Sequence, residues 1–334
     1  MDRRLLGVVA LLAIAIAAIV ISGTASAAKP PSGGNTGSGR VFFPNPVAQL
    51  QDQSLTDQKD ADYAALHPAY RTVTLTNLDG SGYLVGDWAS VVSETGERAH
   101  STSNQFIYNR SDDRFEQVMA YYWVTESQKY IQGLGFGSSL RPINKESQDV
   151  RINQWGADNS FQTDHPKDEM RFGKGGVDDA EDAEVILHEY GHAIQSDQVP
   201  GFGTSLEAGS IGEGFADYWA VTVTNFISPT PGTPCVADWD SVSYTVDVPH
   251  CLRRVDENLH YPDDLHPTSV HFNGQIWSRA LWDIRNEVGR ARADTLILEA
   301  HFAFTTDTTM PAAAQATVDA AQRLFGNGTA NKVL

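Results

Sequence analysis

The feature that most constrains this chain is the segment His188-Glu189-Tyr190-Gly191-His192. Apolar residues recur through residues 183–196 at helical spacing, so the segment is predicted to lie on a helix. Residues four apart occupy the same face of a helix, which places the two imidazoles side by side. Both can then reach one zinc ion, at about 2.0–2.1 Å. Taken alone, the pattern is also compatible with a helix that carries two histidines by chance.

A second predicted helix, residues 206–226, supplies acids that suit the same chemistry. Glu213 can provide a third zinc ligand and leave the fourth position for water, as a catalytic zinc requires. Asp217 lies one turn further along the same face and can accept the second ring N–H of a zinc-bound histidine. Glu189 can act on a water rather than bind the metal, as a general base. The alternative for Glu213 and Asp217 is a pair of solvated surface acids.

A third histidine, His271, opens another predicted helix, residues 271–288, after a long loop. From that position it could project into a cleft and donate a hydrogen bond to the oxyanion that forms when water attacks a peptide carbonyl. A purely structural histidine is the alternative.

Together, these motifs resemble those of the thermolysin-like zinc metallopeptidases, or gluzincins, and most closely those of the fungalysin family. The resemblance rests on H-E-x-x-H, on E-x-x-x-D from Glu213 to Asp217, and on Val-His-x-Asn at residues 270–273. Upstream segments such as Phe43-Pro44-Asn45-Pro46 also resemble the family, so the resemblance spans about residues 41–325.

The resemblance implies a role for each matching residue. Zinc would be bound by His188, His192 and Glu213, with Glu189 as general base, Asp217 orienting a zinc-bound histidine and His271 stabilising the oxyanion. Asn159, Ser160 and Phe161 resemble an edge strand that pairs with the substrate backbone, although serine stands where the family has alanine. An ordinary edge strand is the alternative for this segment.

Three features depart from the family pattern. Where the family has an aspartate shortly before the oxyanion histidine, this chain has His266. No tyrosine lies between His192 and Glu213, where thermolysin has a second oxyanion donor. Fungalysins carry a large inhibitory prosequence, whereas only a short segment precedes Val41, which leaves open how activity is suppressed before export.

Residues 1–27 have the charged start, apolar run and Ala-Ser-Ala site of a signal peptide. We expect cleavage after Ala27, with an uncleaved membrane anchor as the alternative. Either outcome places the rest of the chain outside the cytoplasm, so we predict a secreted, extracellular protein. Residues 28–40 are rich in proline, glycine and serine and are predicted to form a flexible tether.

The two cysteines, Cys235 and Cys251, lie in a long loop region of residues 228–268. Export favours oxidation, so we expect a disulfide between them, with two free thiols as the alternative. A disulfide that closes a loop of this size would stabilise the fold by roughly 3 kcal/mol. The disulfide would also hold together a loop that is unusually long.

The charge of the chain bears on its partners. A net charge of −18 argues against nucleic acid, because phosphate binding needs a basic face. Acidic residues crowd just before the predicted zinc helix, at Asp178, Asp179, Glu181, Asp182 and Glu184. Their hard oxygens suit calcium. The alternative is a negatively charged helix N-terminus that the helix dipole favours.

The order of the elements predicts an α+β fold. The catalytic domain spans residues 41–334, with a β-rich part (41–175) that includes a helix at 114–133 and an edge strand with a turn at 150–161. A mainly helical part (176–334) follows, with a last helix at 311–325, and the zinc cleft lies between the two parts.

These observations predict a secreted zinc-dependent endopeptidase that acts on proteins or peptides, and we expect a monomer. A zinc aminopeptidase is one alternative, although the Gly-x-Met-Glu-Asn segment of that related group is absent. The other alternative is a non-catalytic surface binding protein on a protease scaffold, in which a metal ligand or the base would be expected to be lost.

Overall fold

Strands gather in the first half of the chain and helices in the second, which confirms the predicted α+β class. The computed structural model describes residues 34–232 and 234–334. The predicted signal peptide and tether residues 28–33 lie outside the described residues. Within the described part, no helix combines the length and the apolar character that a membrane span needs.

The first sheet has three strands. β1 (Asn35–Phe42) lies in the middle, antiparallel to β2 (Tyr70–Leu78) on one side and parallel to the short β4 (Gln105–Phe106) on the other. The end of β1 carries Val41 and Phe42 into the core, where both are fully buried.

The predicted flexible tether is wrong for residues 35–40, because they belong to β1. The glycines of this segment serve close packing rather than flexibility. A Cβ atom on Gly39 would lie 2.6 Å from Cγ1 of Val118 and 3.0 Å from Cδ2 of Leu75. Glycine is therefore needed where the strand presses against its neighbours, and composition alone does not separate this use from a linker.

The second sheet has the order β3 (Ala89–Ser93), β5 (Gln148–Ile152), β7 (Glu169–Phe172) and β6 (Ser160–Thr163). Only β6 is antiparallel to its neighbour. The prediction of one edge strand from residue 150 onward is wrong. β5 is an interior strand with Val150 and Ile152 fully buried, and the edge position belongs to β6.

Eight α-helices lie in the described ranges: α1 (Pro46–Leu50), α2 (Arg114–Gly133), α3 (Ala183–Gln198), α4 (Leu206–Ile227), α5 (Val270–Val288), α6 (Arg290–His301), α7 (Met310–Phe325) and α8 (Asn327–Val333). The five predicted helices are present with ends shifted by at most two residues. Side-chain oxygens of Asp182, Ser205 and Ser269 cap α3, α4 and α5 by accepting backbone N–H bonds in the first turn.

Helix α6 was not predicted, because a buried acid interrupts its apolar pattern. Asp294 is fully buried and accepts a hydrogen bond of 2.6 Å from the hydroxyl of Tyr218 on α4. The hydroxyl of Tyr130 on α2 also donates to it. The carboxylate thus joins three helices, a contact that no periodicity in the sequence reveals.

Helix α4 packs against both α3 and α5, and this arrangement fixes the site. At the crossing with α5, a Cβ atom on Gly214 would lie 2.3 Å from the carbonyl oxygen of Gly274. The two helices therefore meet backbone to backbone. Because Glu213 precedes Gly214 and His271 lies one turn before Gly274, the crossing brings these two side chains together.

We expect Gly39→Ala to lower the free energy of unfolding by about 1–3 kcal/mol, because the added methyl group overpacks the contact with Val118. Gly133→Ala is the matched control, since a Cβ atom there meets nothing within 4 Å at the end of α2. Urea unfolding midpoints of the two variants and the parent would test this. Equal midpoints for Gly39→Ala and the parent would contradict the packing argument.

Candidate metal centre

Three side chains from two helices converge on one point. His188 and His192 lie one turn apart on α3, and their Nε2 atoms are 3.2 Å apart. Glu213 reaches across from α4, with Oε2 3.3 Å from Nε2 of His188 and Oε1 3.9 Å from Nε2 of His192. The structure therefore brings together the three residues that the sequence predicts as ligands.

These distances fit zinc. With bonds of about 2.0–2.1 Å, two ligand atoms of a tetrahedral zinc are separated by roughly 3.3 Å. Two of the three observed separations lie close to that value, and the one between Glu213 and His192 is longer at 3.9 Å. The chemistry of the set also fits, because two imidazoles and one carboxylate are the ligands of many catalytic zinc sites. His188, His192 and Glu213 could therefore hold the metal.

Asp217 fixes the ring of His188. Its Oδ1 lies 2.8 Å from Nδ1 of His188, so Nδ1 carries the proton and Nε2 faces the other ligands. Burial raises the pKa of Asp217, but Arg253 and His188 outweigh it and hold that pKa well below the usual range. Burial lowers the pKa of His188, and its hydrogen bonds to Asp217 and Glu213 raise it by more, to about 10. A metal bound at Nε2 must displace the proton that Nε2 carries in the charged ring, whereas the proton on Nδ1 stays with Asp217.

Glu189 is almost fully buried beside the ligands. Burial raises the pKa of its carboxyl to about 7, although charged His188 opposes the shift. A hydrogen bond from the backbone of Gln162, in β6, also lowers it. An acid that titrates near neutral pH can both take and return a proton, which is what a general base in hydrolysis has to do.

His271 lies in the first turn of α5, which Ser269 caps by accepting from the N–H of Phe272 at 3.2 Å. Its Nε2 is 3.4 Å from Oε2 of Glu213, and 60% of its side chain is exposed. The ring thus faces the open side of the centre. His266 is held differently, because its backbone N–H and C=O bond to the amide of Asn273 at 2.7 and 2.9 Å.

A cleft of about 430 Å³ opens over the centre. Its walls include His188, Glu189 and His271, and also Asn159, Ser160 and Phe161. Ser160 and Phe161 belong to β6, whose outer side has no strand beside it within the described residues. The segment that the resemblance assigned to substrate binding therefore borders the candidate centre.

Sequence reasoning missed Arg253. Its side chain is largely buried, and the guanidinium donates two hydrogen bonds of 2.7 Å to Asp217, from Nε and Nη2. Arg253 belongs to β9 (Arg253–Arg254), which pairs with β8 (Cys235–Val236). A disulfide joins Cys235 to Cys251 and closes this hairpin. No spacing rule connects Arg253 with an acid 36 residues away, so only the tertiary structure reveals the pair.

The acidic segment before α3 is largely engaged by protein groups. Glu181 pairs with buried Arg110, Nη2 to Oε2 at 2.8 Å, and Asp182 caps α3. Glu184 accepts hydrogen bonds from Thr224 and from the backbone N–H of Ala237. These contacts favour the structural alternative for three of the five acids. Calcium binding by this segment stays a prediction.

Comparison with known proteins agrees with these observations. The family described as Fungalysin metallopeptidase (M36) matches residues 28–292. Extracellular metalloproteinase 4 of Trichophyton rubrum is 30% identical over 115 residues, which cover 31% of this chain and 17% of that protein. Its counterpart from Trichophyton soudanense is 29% identical over 115 residues, which cover 31% and 28%. The matched segment spans less than a third of each of these relatives.

A solved structure shares the fold. The precursor of protealysin, a metalloproteinase from Serratia proteamaculans, superposes with a TM-score of 0.55 at 17% sequence identity. The superposition covers 88% of this chain and 96% of that one. At this identity, the likeness concerns the fold alone.

We expect Asp217→Asn to weaken zinc binding roughly 10–100-fold, because the amide no longer offers a charged acceptor to His188. Asp256→Asn is the matched control, since Asp256 pairs with Arg254 in the same hairpin and does not touch the centre. Titration of the metal-free proteins with zinc against a competing chelator gives both affinities. Equal zinc affinities for Asp217→Asn and the parent would contradict the positioning role.

Proposed function

The chain belongs to the fungalysin metallopeptidase family, and on this premise we propose that it is a secreted zinc-dependent endopeptidase that cleaves proteins or peptides. The convergence of His188, His192 and Glu213 on one point, with Glu189 beside it, carries the proposal. Secretion is supported by relatives that are named extracellular metalloproteinases and by the signal-like residues 1–27.

In this proposal His188, His192 and Glu213 hold the zinc. When bound, zinc supplies Lewis acidity, which makes a water more acidic and polarises the scissile carbonyl. Glu189 takes a proton from the attacking water and later delivers it to the leaving amine, so no covalent intermediate is needed.

Other residues of the chain orient the substrate and stabilise charge. His271 donates a hydrogen bond to the developing oxyanion, for which its exposed position on the open side of the centre is suited. The outer edge of β6, with Ser160 and Phe161, pairs with the backbone of an extended substrate. Asp217 holds the ring of His188 in place by a direct hydrogen bond, and Arg253 in turn holds Asp217.

Digestion of casein by the purified protein tests the proposal against its alternatives. We expect internal cleavage that a zinc chelator blocks and added zinc restores. Release of amino-terminal residues alone would indicate an aminopeptidase. A zinc-loaded protein that leaves casein and unstructured peptides intact would indicate a binding protein on this scaffold.

Replacement of the general base should separate chemistry from metal binding. Glu189→Gln is expected to retain about one zinc per chain and the parent melting temperature, but to lose nearly all hydrolysis, because an amide cannot accept the proton. Metal analysis and initial rates on one preparation give both quantities. Substantial activity in the zinc-loaded variant would rule out this role for Glu189.

His271→Ala should lower kcat by roughly 10²–10³ while zinc content and KM change little, because the ring acts on charge that develops in the transition state. His266→Ala is the control, since His266 lies in the loop before α5 and bonds to Asn273 through its backbone, which the substitution keeps. Steady-state kinetics and melting curves at matched zinc occupancy distinguish catalysis from support of the fold. Small, equal losses in the two variants would remove His271 from the mechanism.

A further inference from the structure

A smaller cavity of about 100 Å³ adjoins the candidate centre. His188, Glu189 and His271 are among the residues that line it, so the cavity borders the proposed reacting groups. Asp179 and Asp240 lie among its other walls. A side chain of a bound substrate that enters here would have carboxylates around it.

The acidic residues of this cavity are buried and incompletely paired. Asp179 and Asp240 are only 2% and 4% exposed. No described residue gives a hydrogen bond to Oδ1 of either one. Carboxylate oxygens of Asp158, Asp179 and Asp240 all lie within 4.8 Å of one another. Buried polar atoms are nearly always satisfied, so two unpaired oxygens on neighbouring carboxylates that line one cavity indicate a missing partner.

The neighbouring polar groups already have their partners. The hydroxyl of Ser160 donates to Oδ2 of Asp179, and the hydroxyl of Tyr244 bonds to Asp158. Arg253, which also lines the cavity, directs its hydrogen bonds to Asp217. The free oxygens therefore face a space where N–H donors and a positive charge would complete the set.

Electrostatics points the same way. Burial raises the pKa of Asp179 to about 8, although its bond from Ser160 opposes the shift. Burial raises the pKa of Asp240 as well, and the nearby Asp179 and Asp158 add to the effect. A cation in the cavity would relieve both the repulsion between the carboxylates and their loss of hydration.

We propose that this cavity receives the basic side chain, lysine or arginine, of a substrate residue next to the scissile bond. The inference rests on the proposed function and adds a substrate class to it. An ammonium group offers three N–H donors and a guanidinium five, either of which can satisfy Asp179 and Asp240 together. The net charge of −18 would also draw basic substrates towards the protein.

A divalent cation is the competing occupant. Calcium prefers six to eight oxygen ligands, and its sites use the lone pairs of oxygens around the ion. Here the hydroxyls of Ser160 and Tyr244 point their protons at the carboxylates, which leaves fewer oxygens free to coordinate. The position of the cavity beside Glu189 likewise favours a substrate side chain over a structural ion.

Cleavage-site mapping is the first test. The zinc-loaded protein is incubated with a denatured, unrelated protein, and mass spectrometry identifies the new ends. We expect lysine and arginine to be enriched at one of the two positions that flank the cleaved bond. Cleavage sites flanked by apolar residues would overturn the proposal and leave the proposed endopeptidase intact. Absence of any cleavage would contradict both.

Two variants test whether the cavity causes the preference for a basic residue. Two peptides that differ only by lysine or norleucine at the enriched position give a ratio of kcat/KM values. We expect Asp240→Asn and Asp179→Asn each to lower this ratio about 10-fold or more, because a buried charge pair is lost. The ratio does not depend on the fraction of a preparation that is folded. Asp319→Asn, the same change on the exposed face of α7, should leave it unchanged.

The competing cation gives a distinct result. An unchanged lysine-to-norleucine ratio in both variants would overturn the proposal. If calcium chloride alone also raised the melting temperature of the parent, and Asp240→Asn abolished that rise, the three carboxylates would be a cation site.

Discussion

The carboxylate of Asp217 is the point at which three separate parts of this protein meet. It projects from α4, accepts from Nδ1 of His188 on α3, and accepts two hydrogen bonds from Arg253 in the disulfide-closed hairpin. His188 and Asp217 are buried and the side chain of Arg253 is only 14% exposed, so their interactions are little screened by water. Loss of Asp217 would leave the largely buried guanidinium of Arg253 without this partner, which is costly. The orientation of the metal-facing imidazole therefore depends on a hairpin far away in the sequence.

The same reliance on buried charge extends along the segment that leads into α3. Arg110, from the first half of the chain, bonds to Glu181 and to Asp57, and Asp182 caps the helix that carries the metal ligands. This segment positions α3 against the sheets, and it also carries Asp179 to the wall of the smaller cavity. The acidity of the chain is thus partly internal, where it does more than keep the surface hydrated.

Much of the fold followed from periodicity, and the failures share one cause. The helices α2, α3, α4, α5 and α7 have apolar residues at helical spacing and were predicted with accurate ends. Helix α6 was not predicted because Asp294, which interrupts its apolar pattern, has its hydrogen-bond partners on α2 and α4 rather than within its own helix. The glycines of β1 suggested a tether because their reason, the close approach of Val118 and Leu75, lies elsewhere in the chain. The interior position of β5 was also not predicted, because the sequence of a strand does not indicate how many strands will pair with it.

By itself, the sequence determined which residues can share a helix face and which chemistry they can perform. The four-residue spacing of His188 and His192 follows from helix geometry, and it holds wherever that helix is placed. Only the tertiary structure decided what those groups face. The crossing of α4 with α5, where Gly214 meets Gly274, brings His271 to Glu213. The hairpin brings Arg253 to Asp217, and two short 3₁₀ helices, Asp179–Glu181 and Asp240–Ser243, bring Asp179 to Asp240. Spacing along a helix is set by local backbone geometry, whereas these contacts come from the packing of distant segments.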